Sequence, residues 1–188
     1  LDAKAAVTNV DIIGVNSTKS VGSKASFEMN AAFANLTGTQ TDGGTLEFNV
    51  GCDDGTSTTV KFTFDATNKK MIAEDGTEYS VTATDGKATK EELGNAVLAE
   101  LKKTDLGKEF DITIANDKIK FTALKEGTDG KQIRSIDFVS QNKAGTQLDA
   151  KDIGVKVING TDIGREIDSG DIIVYNGKNY DDAVFTIN

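Results

Sequence analysis

Short runs in this chain alternate apolar and polar side chains and are separated by Gly-, Asn- and Asp-containing turns. TLEFNV (45–50) puts Leu46, Phe48 and Val50 on one side, and TVKFTFD (59–65) does the same with Val60, Phe62 and Phe64. Successive side chains on an extended strand point to opposite faces, so this period demands sheets with one face buried. GCDDGTS between the two runs makes them a hairpin with a longish loop. The pattern recurs after the helix described below. Phe110, Ile112 and Ile114 alternate, Asn116-Asp117 turns, and Ile119, Phe121 and Ala123 alternate back, followed by a strand over 132–140. Asp75-Gly76, between Met71/Ala73 and Tyr79/Val81, predicts a hairpin with a two-residue type I′ turn.

One segment breaks the period. TKEELGNAVLAELKK (89–103) places Leu93, Ala96, Val97 and Leu101 at helical spacing, with Glu100 the one interruption of the apolar stripe. Thr89 and Glu92 fit a capping box, and Lys102 and Lys103 suit the negative end of the helix. Gly94 weakens the helix by about 1 kcal/mol relative to Ala, a cost that close packing on a sheet would offset. The expected fold class is therefore α+β, mostly antiparallel β. The helix lies on a sheet with Leu93, Val97 and Leu101 buried against Phe110, Ile112 and Phe121 or their neighbours.

The flanks are less regular. A strand is expected within 5–15, another over 26–36 from the alternation of Phe27, Met29, Ala31 and Phe33, and a Gly/Thr loop over 37–44. A strand at 153–158 and a hairpin around Asn176-Gly177 (172–187) complete the pattern. Composition shifts near 44 and 141, and KAGTQLDAKD (143–152) reads as a polar connector. The expected organisation is a base β subdomain from both chain ends, 1–44 with 141–188, carrying 45–140 as an inserted hairpin–helix–hairpin subdomain.

Composition excludes more than it suggests. Aromatic residues make up 6% of the chain, so the core has to come largely from Val, Ile, Leu, Ala and Phe. The net charge of −9 disfavours nucleic acid and anionic membranes as partners. No apolar run approaches the roughly 20 residues that span a bilayer. There is no His anywhere, so Ser-His-Asp and Cys-His catalysis and His-containing zinc sites are impossible within the chain. Cys52 is the lone cysteine and has no histidine to activate it.

The remaining candidates are acids. Asp53-Asp54 and Asp181-Asp182 read as turn acids, and Glu91-Glu92 as helix-dipole partners. The loops GCDDGTS, KEGTDGK and NGTDIGREIDSGD lack the calcium-loop spacing with its closing Glu, and GTDGKQ lacks the phosphate-loop spacing. No catalytic, cofactor-binding or metal-binding residue is assigned, and no cofactor is expected.

DGTEYSVTATDGKATKEELGNAVLAELKK followed by EFDITIANDKIKFTALKEGTDGKQI resembles a module of flagellin central variable regions. There a G-x-x-Y strand precedes a Thr-capped helix, and a hairpin ends in T-A-x-x-x-G-x-x-G. The matching residues are Gly76, Tyr79, Val81, Thr89, Leu93, Val97, Leu101, Ile119, Phe121, Thr122, Ala123, Gly127 and Gly130, across about 71–135. The resemblance implies a non-enzymatic structural domain on the outer surface of an extracellular bacterial flagellar filament. It also implies assembly with other flagellin subunits through terminal regions this chain lacks. Host or antibody contacts follow from that placement, and the isolated domain is expected as a monomer. The chain starts LDAKAAV, without Met, in keeping with a piece of a longer protein. The alternatives are a phage-tail or other tube decoration domain, or a carbohydrate-binding adhesin module. With three Tyr and no Trp the adhesin has few stacking groups, Tyr79 and Tyr180 among them.

Overall fold

The computed structural model describes residues 22–162 and a short strand pair near the C-terminal end. The fold is α+β and mostly antiparallel, as the alternation required. The first strand, β1 (Lys24–Met29), is followed by two 3₁₀ turns at Phe33–Asn35 and Thr37–Thr39. Then come β2 (Thr45–Cys52), β3 (Ser57–Asp65), β4 (Lys70–Ala73) and β5 (Glu78–Ser80). The helix α1 (Lys90–Lys103) and a single turn, α2 (Leu106–Glu109), lead into β6 (Phe110–Ala115) and β7 (Lys118–Glu126). The unit closes with β8 (Ile133–Gln141), β9 (Gln147–Asp152) and β10 (Val155–Ile158).

These strands form two sheets, one of four strands in the order β10-β1-β7-β6 and one of six in the order β5-β4-β3-β2-β8-β9. Each sheet puts its alternating apolar residues on one continuous core: Phe27, Met29, Ile119 and Phe121 from the first, Leu46, Phe48, Phe62 and Phe138 from the second. On one side the sheets are joined directly by the chain, because Ile153 and Gly154 both donate to the Ile136 carbonyl at 2.9 and 3.2 Å before β10 crosses to the other sheet. On the opposite side α1 lies against β6 and β7 of one sheet and β3 and β5 of the other. Its residues Leu93, Ala96, Val97 and Leu101 are completely buried. Phe110 on β6 makes edge-on contacts with Phe27 and Phe121, ring centres 5.9 Å apart in each case.

Four expectations are corrected. The strand over 26–36 stops at Met29, and Phe33 opens a 3₁₀ turn whose ring is buried at 6.2 Å from Phe48. Apolar residues two apart also suit a chain that turns a buried Phe inward without extending.

The β4–β5 connection is not type I′, because Asp75 keeps a negative φ and only Gly76 is left-handed, at φ +86°. Gly76 N–H donates to Ala73 O at 2.9 Å and Ala73 N–H to Thr77 O at 2.8 Å, a type I turn closed by a glycine bulge. Cys52–Thr56 and Asn142–Thr146 use the same bond pair. The shared signature is Gly-Thr at the turn's end, in DDGT, EDGT and KAGT. The type I′ turn sits instead at Asn116-Asp117, both residues left-handed at φ 52° and 64°.

The boundaries at 44 and 141 are also displaced. The compact inner unit spans 22–162. β1 belongs to the inner unit because it is a central strand between β10 and β7, and the polar 143–152 stretch contains β9, an edge strand of the larger sheet. An edge strand tolerates the polar residues that read as a connector. Finally, the Gly/Thr loop at 37–44 contains the second 3₁₀ turn.

The chain enters and leaves the inner unit side by side. Ser23 N–H donates to Thr161 O at 2.9 Å and Thr161 N–H to Ser23 O at 3.1 Å. Near the C-terminal end, β11 (Val174–Tyr175) and β12 (Lys178–Asn179) pair in the register Tyr175↔Lys178, flanking Asn176-Gly177 as the hairpin reading placed them. The expected strand within 5–15 lies outside the described residues.

Gly94 shows why the helix accepts a poor helix former. A Cβ there would stand 3.0 Å from the Phe33 ring and 3.3 Å from Ile114 Cδ1. Gly94→Leu should therefore destabilise the unit by about 1–3 kcal/mol through overpacking, despite its better helix propensity. Urea denaturation of the two proteins checks this, and a more stable variant would contradict the close approach.

Candidate functional site

The described residues contain one polar cluster built into the core wall, and it lies on the helix. Glu100 points along the apolar stripe of α1 and is 9% exposed. Its carboxylate accepts a hydrogen bond from the Tyr79 hydroxyl on β5 and one from Lys103 Nζ at 2.7 Å. Lys103 Nζ also reaches Asp75 at 2.9 Å and Thr77 Oγ1 at 2.9 Å, both in the β4–β5 turn. The Tyr79 ring packs edge-on against Phe62, 5.8 Å away. The helix is thus tied to the edge hairpin of the larger sheet through one buried acid. The one interruption of the apolar stripe, Glu100, is therefore the centre of a polar constellation. The interruption at Glu100 was its main sequence signal, because Tyr79, Asp75 and Thr77 come from the β4–β5 hairpin and only Lys103 shares its helix.

The electrostatics describe a latch. Burial, then the hydrogen bond to Glu100, pushes the Tyr79 phenol up to about 12. The Asp75 and Glu100 hydrogen bonds hold the Lys103 ammonium above its usual range. Lys103 and the Thr77 groups hold the Asp75 carboxyl well below the usual range. These groups keep fixed charge states through the neutral range, which suits a structural tie and leaves no proton to exchange near pH 7.

The other acids stand in turns and caps. Asp53 Oδ1 accepts from Gln132 N–H at 2.9 Å. Asp54 accepts from Thr56 N–H and Oγ1 at 2.9 and 2.6 Å and pairs with Lys131 at 3.2 Å, and these bonds lower its carboxyl to about 2. Glu92 completes the capping box with Thr89 and accepts from Thr82 N–H at 2.8 Å. Burial alone raises that carboxyl, but the Thr82 and Thr89 bonds outweigh it and hold it below the ordinary range. Glu91 is exposed, with Lys90 3.7 Å away. Cys52 is buried, and that burial pushes its thiol up, away from a reactive thiolate. Asp181-Asp182 and Tyr180 lie outside the described residues.

Gln40, in the Gly/Thr loop, escaped the sequence reading. Its buried amide grips Ala88 from both sides, accepting from the N–H at 2.6 Å and donating to the carbonyl at 2.9 Å. That clamp sets where α1 begins. Only the local polarity of TGTQTDGG hinted at it, and polar loops rarely announce a buried amide.

A groove of about 760 Å³ opens at the end of the four-stranded sheet where the chain enters and leaves. Phe110, Ala123 and Ala25 line it beneath Lys125, Lys131, Glu126 and Asp129, so both signs of charge share its rim. None of the buried polar side chains, Ser26, Gln40, Glu100 and Ser140, reaches it. Among the described residues no group of acids, Cys or His is arranged to hold a metal ion. Among the described residues no helix is long and apolar enough to cross a membrane. Comparison with protein-family models, curated proteins and solved structures finds no match.

The latch has a pH signature. The fold keeps the Tyr79 proton to about 12, above the ordinary 10.0, so its contribution is complete below the ordinary value and is lost as pH climbs through about 12. The raised Lys103 ammonium works in the same direction. Tyr79→Phe should lower stability at neutral pH by about 1–2 kcal/mol and make the alkaline fall shallower. Denaturation at a series of alkaline pH values checks both, and an unchanged alkaline slope would contradict the latch.

Proposed function

We propose that the chain is a non-enzymatic structural module, the surface-exposed variable domain of a bacterial flagellin, located extracellularly on the filament. The observation that carries the reading is the side-by-side entry and exit at Ser23 and Thr161. A domain strung on adjacent strands projects outward from a parent and leaves the parent's own packing intact. The resemblance over about 71–135 supplies the family. The pinned acids and the mixed-charge groove favour a structural over a catalytic role.

Thr59 Oγ1 donates to Asn49 Oδ1 at 2.6 Å, Asn49 Nδ2 to Asp137 Oδ1 at 2.8 Å, and Lys61 pairs with Glu47 at 2.8 Å across the outer face of the larger sheet. A polar face whose side chains satisfy one another suits a solvent-facing filament surface. On this reading the module meets other subunits only through regions outside this sequence, and it presents surface to hosts and antibodies.

An in-frame deletion of 1–188 from the parent gene tests the proposal. Filaments should still assemble, thinner by electron microscopy and no longer bound by antibodies raised against the domain. Loss of export and assembly, or a parent whose flanking sequence belongs to a tail tube, would overturn it.

A further inference from the structure

The sequence holds five Asp-Gly pairs, at 42–43, 54–55, 75–76, 85–86 and 129–130, and all five aspartates are exposed. Among aspartyl dipeptides Asp-Gly is the most open to spontaneous isomerisation, because glycine puts no β-carbon in the way of its own nitrogen. Two conditions govern the step. The aspartate carboxyl has to be free to swing back onto the chain, and the glycine N–H has to be free of a hydrogen bond.

Four of the pairs fail both conditions. Asp42 Oδ1 accepts from Ala66 N–H at 2.9 Å while Gly43 N–H donates to Phe64 O at 2.8 Å. Asp54 is held by Thr56 and Lys131 while Gly55 N–H donates to Cys52 O at 3.2 Å. Asp75 is held by Thr77 N–H and Lys103 while Gly76 N–H donates to Ala73 O at 2.9 Å. Asp85 accepts from Lys87 N–H at 3.2 Å while Gly86 N–H donates to Ala83 O at 3.2 Å.

Asp129-Gly130 meets both. Among the described residues neither the Asp129 carboxyl nor the Gly130 N–H has a partner, and nothing lies within 4 Å of where a Gly130 Cβ would stand. The loop is anchored on either side of the pair. Gly127 N–H donates to Ser23 O at 3.1 Å, Thr128 N–H to Asp162 at 3.1 Å, and Gln132 N–H to Asp53 at 2.9 Å. The pair is the untethered crest of that arch, on the rim of the groove.

We infer that Asp129 is a site of spontaneous isoaspartate formation, selected from five equivalent dipeptides by the fold. The Gly130 nitrogen attacks Cγ of the neutral Asp129 carboxyl. A C–N bond forms, the Cγ–OH bond breaks, and the hydroxyl leaves with the amide proton as water. Water then reopens the five-membered imide. Addition at the side-chain carbonyl restores aspartate, and addition at the backbone carbonyl leaves the chain running through Cβ and Cγ. One water leaves and one returns, no electrons move, and the net charge is unchanged. The product lengthens the backbone at the crest by one methylene.

Asn159-Gly160 reaches the same imide with loss of ammonia. Its backbone is walled in, a Cβ on Gly160 meeting Gly127 O at 2.1 Å and Ser23 O at 2.8 Å. Its product also carries an added negative charge, so the two are read apart.

The test is incubation of the full chain at about pH 5 and about pH 8, the more acidic condition leaving the larger share of any carboxyl neutral. Peptide mapping and an isoaspartate-specific carboxyl methyltransferase supply the readout. Isoaspartate should be several-fold higher at 129 than at any of the other four, and higher at the lower pH because the neutral acid is the reactive form. In concentrated denaturant the five sites should converge, because only the fold separates them. Gly130→Ala, placed in open space, should cut the signal at 129 several-fold while leaving the unfolding midpoint unchanged. An even distribution in the folded chain, a different dominant Asp-Gly site, or a preference for 129 that persists in denaturant would each overturn the inference.

Discussion

Two antiparallel sheets share one core here because α1 fills the mouth between them. On the closed side the chain itself binds the sheets, running from β9 into β10 over the Ile136 carbonyl. On the open side no strand crosses among the described residues, and the apolar face of β6 and the Tyr79 ring of β5 would stand in water without the helix. Leu93, Ala96, Val97 and Leu101 occupy that space with no exposed surface. Burying side chains of this size stabilises by about 1.5–3 kcal/mol for each large one, so the stripe is comparable with the whole net stability of an ordinary domain. The other specific features around α1 serve its placement. Gln40 and the Thr89/Glu92 box fix its start, Gly94 lets it approach Phe33, and Glu100 with Lys103 ties its last turns to the β4–β5 hairpin.

Most of the fold was legible because alternation and helical spacing are local. β2, β3, β6, β7, β8 and α1 all follow from runs whose buried face is written in consecutive residues. Misreadings arose where a local pattern has two physical solutions. Phe33 continues the parity of Phe27 and Met29, yet a 3₁₀ turn buries it just as well. Asp75-Gly76 suits a type I′ turn, but a type I turn with a glycine bulge uses the same dipeptide, and Thr77 then caps the Asp75 carboxylate. The polar stretch at 147–152 reads as a linker because an edge strand has little apolar surface to bury. Glu100 is the informative case. The sequence marks it as an intruder on an apolar stripe, but its partner Tyr79, and Asp75 that shares Lys103 with it, stand more than twenty residues away, a relation only the fold supplies.

The same features bear on function. Every acid weighed as a catalytic group and described here, apart from the exposed Glu91, has a structural partner, and the charge states around Glu100 are locked through the neutral range. Tied turns, a self-satisfied polar sheet face and adjacent entry and exit at Ser23 and Thr161 are the features on which the proposed display role rests. The proposed flagellin module and the chemistry inferred at Asp129 rest on different residues. The first depends on Ser23, Thr161 and the resemblance around the helix. The second depends only on which Asp-Gly pair the fold leaves untied.

The central structural claim is that α1 makes the two sheets one cooperative body. Native-state hydrogen exchange on Leu101→Ala tests it most directly. Truncating this buried side chain costs about 2–5 kcal/mol. If the helix couples the sheets, slow amides in β2 and β7, such as those of Phe48 and Phe121, lose protection by the same amount. Loss confined to one sheet, with the other retaining its original protection, would contradict the account.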